Sequence, residues 1–124
     1  MKNTYTRRAN YFLGTLGEII ISQMFPLTKK VNKRSFDLRV PIEKNEKVGH
    51  RLECKTRRLR SNNTFQVNFT RHERTHSDTV VILVLDGNFG TERLYFIPTY
   101  AMPREKGYLY FGKKPTKYEN YRLI

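Results

Sequence analysis

Residues 79–85 read TVVILVL, apolar at every position after the first. A strand with one face in water alternates polar and apolar side chains, so an unbroken apolar run of this length predicts a strand buried on both faces at the centre of a sheet. Towards the C-terminus, DGNFGT (86–91) has turn composition and RLYFIP (93–98) predicts a further strand. Towards the N-terminus, Thr70 to Ser77 is polar and contains no helix breaker, so it predicts a short helix; TFQVNF (64–69) alternates as a short strand, and RLRSNN (58–63) predicts a turn. FDLRVPIE (36–43), KNEKVG (44–49) and HRLECKT (50–56) have the alternation and the Gly-containing turn of a hairpin centred near Glu46 or Lys47. KKVNKR (29–34) predicts a solvated basic loop. Residues 4–25 carry Ala9, Phe12, Leu13, Leu16, Ile20 and Met24 on one side at helical spacing before Pro26 stops the run. The tail, with Tyr100, Tyr108, Tyr110, Tyr118 and Tyr121, fits short strand or helix equally well. This order of elements predicts an α/β fold, a mixed β-sheet flanked by helices.

Composition bounds the function. A chain of 124 residues has room for one core and is read as a single domain over residues 1–124. Its 24 Lys and Arg against 11 Asp and Glu give a formal charge of +13. Such self-repulsion is relieved by a polyanion, so nucleic acid is the expected partner. No apolar run reaches the roughly 18 residues of a spanning helix and the N-terminus has no apolar signal core, so no membrane is expected and a cytoplasmic location is. The one cysteine, Cys54, allows no internal disulfide and no cysteine-based metal cluster, which suits a reducing compartment.

Within RSFDLRVPIEKNEKVGHRLECKTRRLR (34–60) a few acids stand among many positive charges. Glu53 and Lys55 are two apart on one strand and share a face, while Cys54 points the other way. A turn near Glu46 or Lys47 puts Asp37 opposite Lys55 or Thr56, within reach of that same face. Two carboxylates so close repel unless a lysine or a divalent cation compensates, and hard oxygen ligands beside a phosphate site suit Mg²⁺.

The glutamate of the first helix (LGEIII, Glu18), the aspartate at the start of the hairpin (SFDL, Asp37) and Glu-x-Lys on the next strand (LECKT, Glu53 and Lys55) resemble the pattern of the PD-(D/E)xK nuclease superfamily, over roughly residues 5–98. Phe36 stands in place of the motif's proline. In length, charge and motif layout the chain is similar to the small basic archaeal Holliday junction resolvases. The resemblance implies a restriction-endonuclease-like αβββαβ core and hydrolysis of DNA phosphodiesters with Mg²⁺, for which Mn²⁺ can substitute. It implies that Asp37, Glu53 and the backbone carbonyl of Cys54 hold one or two ions, that Lys55 orients the attacking water or neutralises transition-state charge, and that Glu18 supports a second ion or its waters.

Around these acids lie Arg7, Arg8, Lys29, Lys30, Lys33, Arg34, Arg57, Arg58 and Arg60, a frame suited to phosphates rather than to base readout, with Gln66 and Thr56 at its rim. Residues 72–76 read HERTH, a literal HExxH, which on a helix would present His72 and His76 to zinc with Glu73 as base. Arg74 inside the motif and the polarity of the segment favour instead a surface helix touching DNA through Arg71 and Arg74. Three functions therefore follow from the sequence: a metal-dependent endonuclease, a non-catalytic nucleic-acid-binding module, and a zinc metallopeptidase. A homodimer is expected, since cutting both strands of a symmetric substrate needs two sites, and the Tyr-rich tail is its expected interface.

Overall fold

The computed structural model describes the backbone of residues 4–24, 29–30, 38–42 and 45–124, and the side chains of residues 13–24 and 50–124. Its elements are α1 (Thr4–Met24), β1 (Lys29–Lys30), β2 (Leu38–Ile42), β3 (Asn45–Arg58), β4 (Phe65–Asn68), α2 (Arg71–His76), β5 (Thr79–Leu85), β6 (Thr91–Pro98) and β7 (Tyr108–Phe111), with short 3-10 helices at Thr99–Ala101 and Lys117–Tyr121. Five strands form one sheet in the order β1-β2-β3-β5-β6, and β4 pairs with β7 in a separate ribbon. β3 and β5 are parallel and the other pairs antiparallel, so the sheet is mixed as expected. Among the described residues no helix is long and apolar enough to cross a membrane.

All seven residues of β5 are buried, because both faces of the sheet are covered. Val81, Leu83 and Leu85 meet Leu52, Leu94 and the inner side of α1 through Leu13, Leu16, Ile20 and Ile21. Val80, Ile82 and Val84 meet Phe65, Val67, Leu109 and Phe111 of the ribbon, with Tyr95, Ile97 and Tyr118. Burying each such aliphatic side chain stabilises by about 1.5–3 kcal/mol, which explains why the run tolerates no polar residue after Thr79. One flank of the sheet is thus helical, whereas the other is closed mainly by the β4–β7 ribbon. TFQVNF forms its strand outside the main sheet.

The hairpin differs from its expected register. Leu38 pairs with Leu52, Pro41 with Gly49 and Ile42 with Asn45, so residues 46–48 of β3 have no counterpart between Pro41 and Ile42. Proline has no N–H for the ladder and is placed where the ladder is interrupted. Asn45 to Gly49, expected in the turn, therefore belong to the strand. Lys29 and Lys30, expected in a loop, pair with Arg39 and Leu38. Asp37, Lys33 and Arg34, and the expected pairing of Asp37 with Lys55 or Thr56, lie outside the described residues, as do the side chains of Arg7, Arg8, Lys29 and Lys30.

One glycine sets how closely α1 approaches β3. A Cβ on Gly17 would overlap the Thr56 hydroxyl and lie 2.8 Å from Thr56 Cβ, which is fixed to the strand backbone and cannot rotate away. Gly17→Ala gains about 1 kcal/mol of helix propensity but overpacks the junction at a cost of about 1–3 kcal/mol. The expected result is a lower urea midpoint, only partly restored when combined with Thr56→Ala, which removes the hydroxyl and methyl but keeps the Cβ; equal midpoints for Gly17→Ala and the parent would show that this junction does not set the approach of the helix.

Candidate active site

β2 reaches only as far along β3 as the Leu38–Leu52 pair, so from Glu53 onward β3 keeps β5 on one side and, among the described residues, an open edge on the other. A cleft of about 380 Å³ lies there, lined by Leu13, Gly14, Cys54, Lys55, Thr56, Arg57 and Asn68. Its walls come from α1, β3 and β4.

Strand alternation distributes the β3 side chains as the sequence predicts. Glu53, Lys55 and Arg57 are in register with Val80, Ile82 and Val84, which face the ribbon. Cys54 is in register with Val81 and packs in the core under α1. Glu53 is buried at 5% exposure, and Lys55 Nζ lies 3.5 Å from its Oε1. A second carboxylate completes the group: Lys55 Nζ donates to Glu73 Oε2 at 2.8 Å.

The start of α2 explains how Glu73 reaches Lys55. Thr70 is the N-cap; its hydroxyl accepts from Glu73 N at 3.0 Å, and Glu73 Oε1 accepts from Thr70 N at 2.8 Å, a reciprocal capping box. One carboxylate oxygen thus closes the helix while the other holds the lysine. Arg74 Nη1 donates to Pro103 O at 2.7 Å and ties the helix to the segment after β6.

The electrostatics follow from this packing. Burial alone would push the Glu73 carboxyl upward, but hydrogen bonds with the Glu53 carboxyl, the Lys55 ammonium and the Thr70 N–H, together with the lysine charge, hold it below the usual glutamate range. Burial pushes the Arg57 guanidinium below its ordinary value, opposed by the charge of Glu73; its high starting value keeps it charged. Glu53 and the nearby backbone carbonyls are hard oxygen donors chemically suited to a divalent cation, and Glu73 holds the Lys55 ammonium beside them.

The structure brings Glu53, Lys55 and Glu73 together. α1 packs on the face of Cys54 and Thr56, opposite to that of Glu53 and Lys55. Half-buried Glu18 follows Gly17 and stands one helical turn beyond Gly14, which lines the cleft at the open edge of β3.

The basic residues divide between tethers and exposed cations. Arg57 Nε donates to Gln66 O at 2.9 Å and Nη1 to Thr56 O at 2.8 Å, joining β3 to β4. Arg58 donates to Gly87 O at 2.9 Å and lies 4.4 Å over the Phe89 ring. Arg60 and Arg71 are exposed. Gln66 Nε2 donates to Asn68 Oδ1 at 2.9 Å on the outer face of the ribbon.

His72 and His76 share one side of α2 with ring centroids 4.1 Å apart, and His76 Nδ1 lies 2.9 Å from His72 O. Glu73, the base in a peptidase reading, is instead engaged with Lys55 and the helix cap. Among the described residues no three His, Cys, Asp or Glu side chains are grouped as for a metal ion. The place of Glu73 beside Glu53 and Lys55 is the feature that sequence reasoning missed. Its signal was Thr70-x-x-Glu73, a capping pattern overshadowed by the HExxH lettering around it.

No family model matches the chain, and no curated protein matches it in sequence.

Proposed function

We propose that this protein is a metal-dependent endodeoxyribonuclease, selective for branched or duplex DNA structure in the manner of a Holliday junction resolvase. The observation that carries this reading is the group of Glu53, Lys55 and Glu73, with two carboxyls sharing one lysine beside a cleft, on a chain of net charge +13. Asp37 is the residue next to Leu38, and Leu38 is paired with Leu52, next to Glu53; on this connectivity we assign Asp37 as the second carboxylate ligand. The Cys54 carbonyl is the third, and Glu18 supports the site from α1.

When bound, Mg²⁺ or Mn²⁺ polarises the scissile phosphate and lowers the pKa of an attacking water. Glu53 and Asp37 supply the negative charge that holds the ion. Lys55, anchored by Glu73, keeps its ammonium at the cleft, where it orients the water or offsets charge building on the phosphate in the transition state. Arg60, Arg71 and the basic residues of 29–34 hold flanking phosphates, a contribution that falls with salt. The protein works on DNA in the cytoplasm as a two-fold dimer, one site per strand.

The same charge would serve a non-catalytic nucleic-acid-binding module, so the deciding experiment measures cleavage. Labelled branched, duplex and single-stranded substrates are incubated with Mg²⁺, Mn²⁺ or chelator. The expected result is cleavage with either metal, none with chelator, and no effect of a chelator that takes zinc but spares Mg²⁺. Binding without cleavage under every condition would leave only the binding module. Activity restored by Zn²⁺ alone would return the HERTH segment to consideration.

A further inference from the structure

The β4–β7 ribbon has an outer face that the core does not use. Phe65, Val67, Leu109 and Phe111 turn inward and are buried, and the register Gln66↔Tyr110 and Asn68↔Tyr108 puts these four residues together on the other side. Tyr108 and Tyr110 are 42% and 50% exposed. Single exposed aromatics are ordinary on a protein surface. Two on one strand face, bordered by cations, are not accounted for by folding.

The surroundings are specific. A groove of about 540 Å³ is lined by Arg104, Glu105, Lys106, Lys117 and both tyrosines, so three cations face one acid. Lys106 Nζ lies 6.0 Å from the centre of the Tyr108 ring. The Tyr110 ring lies over Gly112, where an added Cβ would come within 3.1 Å of it, so the ring rests against the backbone just after β7. At its other end this face runs into the cleft, because Asn68 both pairs with Tyr108 and lines the wall beside Lys55.

We infer that the outer face of the ribbon binds an unpaired nucleic-acid strand, whose bases stack on Tyr108 and Tyr110 and whose phosphates lie along Lys106, Lys117 and Arg104. The inference rests on the nucleic-acid reading above and narrows its substrate to DNA with a single-stranded segment next to the cut. Side chains two apart on a strand are separated by about 6.8 Å, about twice the 3.4 Å occupied by one base along a strand, which leaves space for one base between the rings. A duplex keeps its bases paired and stacked and offers the rings nothing. An unpaired strand offers every base as a face, and aromatic rings within a basic groove take such faces with little regard to sequence. Gln66 and Asn68 add amide groups at the level of the rings for base edges.

The test is equilibrium binding of fluorescently labelled oligo-dT and of a blunt duplex of the same length, in chelator so that nothing is cut. Tyr108→Ala and Tyr110→Ala should each weaken oligo-dT binding about tenfold while duplex binding stays within about twofold, and Tyr108→Phe and Tyr110→Phe should bind like the parent. Both side chains are exposed, and thermal melts check that the variants fold. Equal losses on the two DNAs, or no loss on either, would overturn the inference while leaving nuclease function intact. Sedimentation that shifts from dimer to monomer in the alanine variants would identify a second copy of the chain as the occupant and would overturn it too. A parent that binds neither DNA would remove the underlying reading along with it.

Discussion

Glu53→Gln should cleave at least about a thousandfold more slowly than the parent while binding DNA as tightly or more tightly. The substitution keeps the shape of a side chain that is 5% exposed but removes the charge assigned to hold the metal. Each tenfold in rate corresponds to about 1.4 kcal/mol, so this loss represents ~4 kcal/mol of transition-state stabilisation, within the several kcal/mol that a bound divalent cation supplies. Affinity moves the other way because a carboxylate beside a phosphate repels it. Lys55→Ala should lower the rate of the bound complex about a hundred- to thousandfold, as for loss of one preorganised donor, with a far smaller change in affinity. It also leaves Glu53 and Glu73 without the ammonium between them, costing up to ~3 kcal/mol of stability for a pair this buried. Because Lys55→Ala leaves the Glu53 carboxyl without its neighbouring ammonium, Mg²⁺ should raise the melting temperature of this variant more than that of the parent. Single-turnover cleavage, equilibrium binding and melts with and without Mg²⁺ measure all of this. Parental rates for Glu53→Gln or Lys55→Ala in folded protein would refute the site.

The parts of this arrangement that a sequence can show are those set by local periodicity. TVVILVL predicts a strand covered on both faces, and it lies between β3 and β6 with every residue buried. Thr70 and Ser77 bound α2 because the cap chemistry is local. Glu53 and Lys55 share a face because alternation depends on nothing else. What was not legible depended on distant pairings. The alternation of TFQVNF shows that one side of β4 is buried but not that its partner is β7, far along the chain. Gly49 has turn composition, yet the interruption beside Pro41 draws it into β3. Glu18 lies on a helix whose inner stripe is plain in the sequence, while the face of the sheet that receives this stripe is decided only by the whole fold. Glu73 was hidden for the same reason. Its charge partner is on another strand, and only the crossover from β3 through β4 and α2 to β5 brings them together.

Glu73 therefore carries the second large expected effect, and it discriminates between the two motifs that overlap at this helix. Glu73→Gln retains an oxygen for the Thr70 N–H, since glutamine serves in a capping box as glutamate does, so α2 should stay folded. What it removes is the charge that accepts from Lys55 Nζ at 2.8 Å. Glu73 acts on the reaction through Lys55, as a positioning residue, and loss of such outer support costs about ten- to a hundredfold. The loss should fall on the turnover of bound DNA with affinity nearly unchanged, because the lysine remains in the cleft but is no longer fixed there. Glu73→Ala also removes the acceptor for the Thr70 N–H, leaving the Thr70 hydroxyl on the backbone N–H of residue 73, and should lose about 0.5–1 kcal/mol of stability beyond the glutamine variant, as for one hydrogen bond. His72→Ala and His76→Ala leave the Glu73–Lys55 pair and the Thr70–Glu73 capping box in place and should cleave at nearly the parental rate. A zinc peptidase requires a different pattern, in which His72, Glu73 and His76 are all indispensable and Lys55 is not. Turnover and affinity measured side by side for Glu73→Gln, His72→Ala and His76→Ala decide the matter: loss of activity confined to the histidine variants would overturn the positioning role of the glutamate.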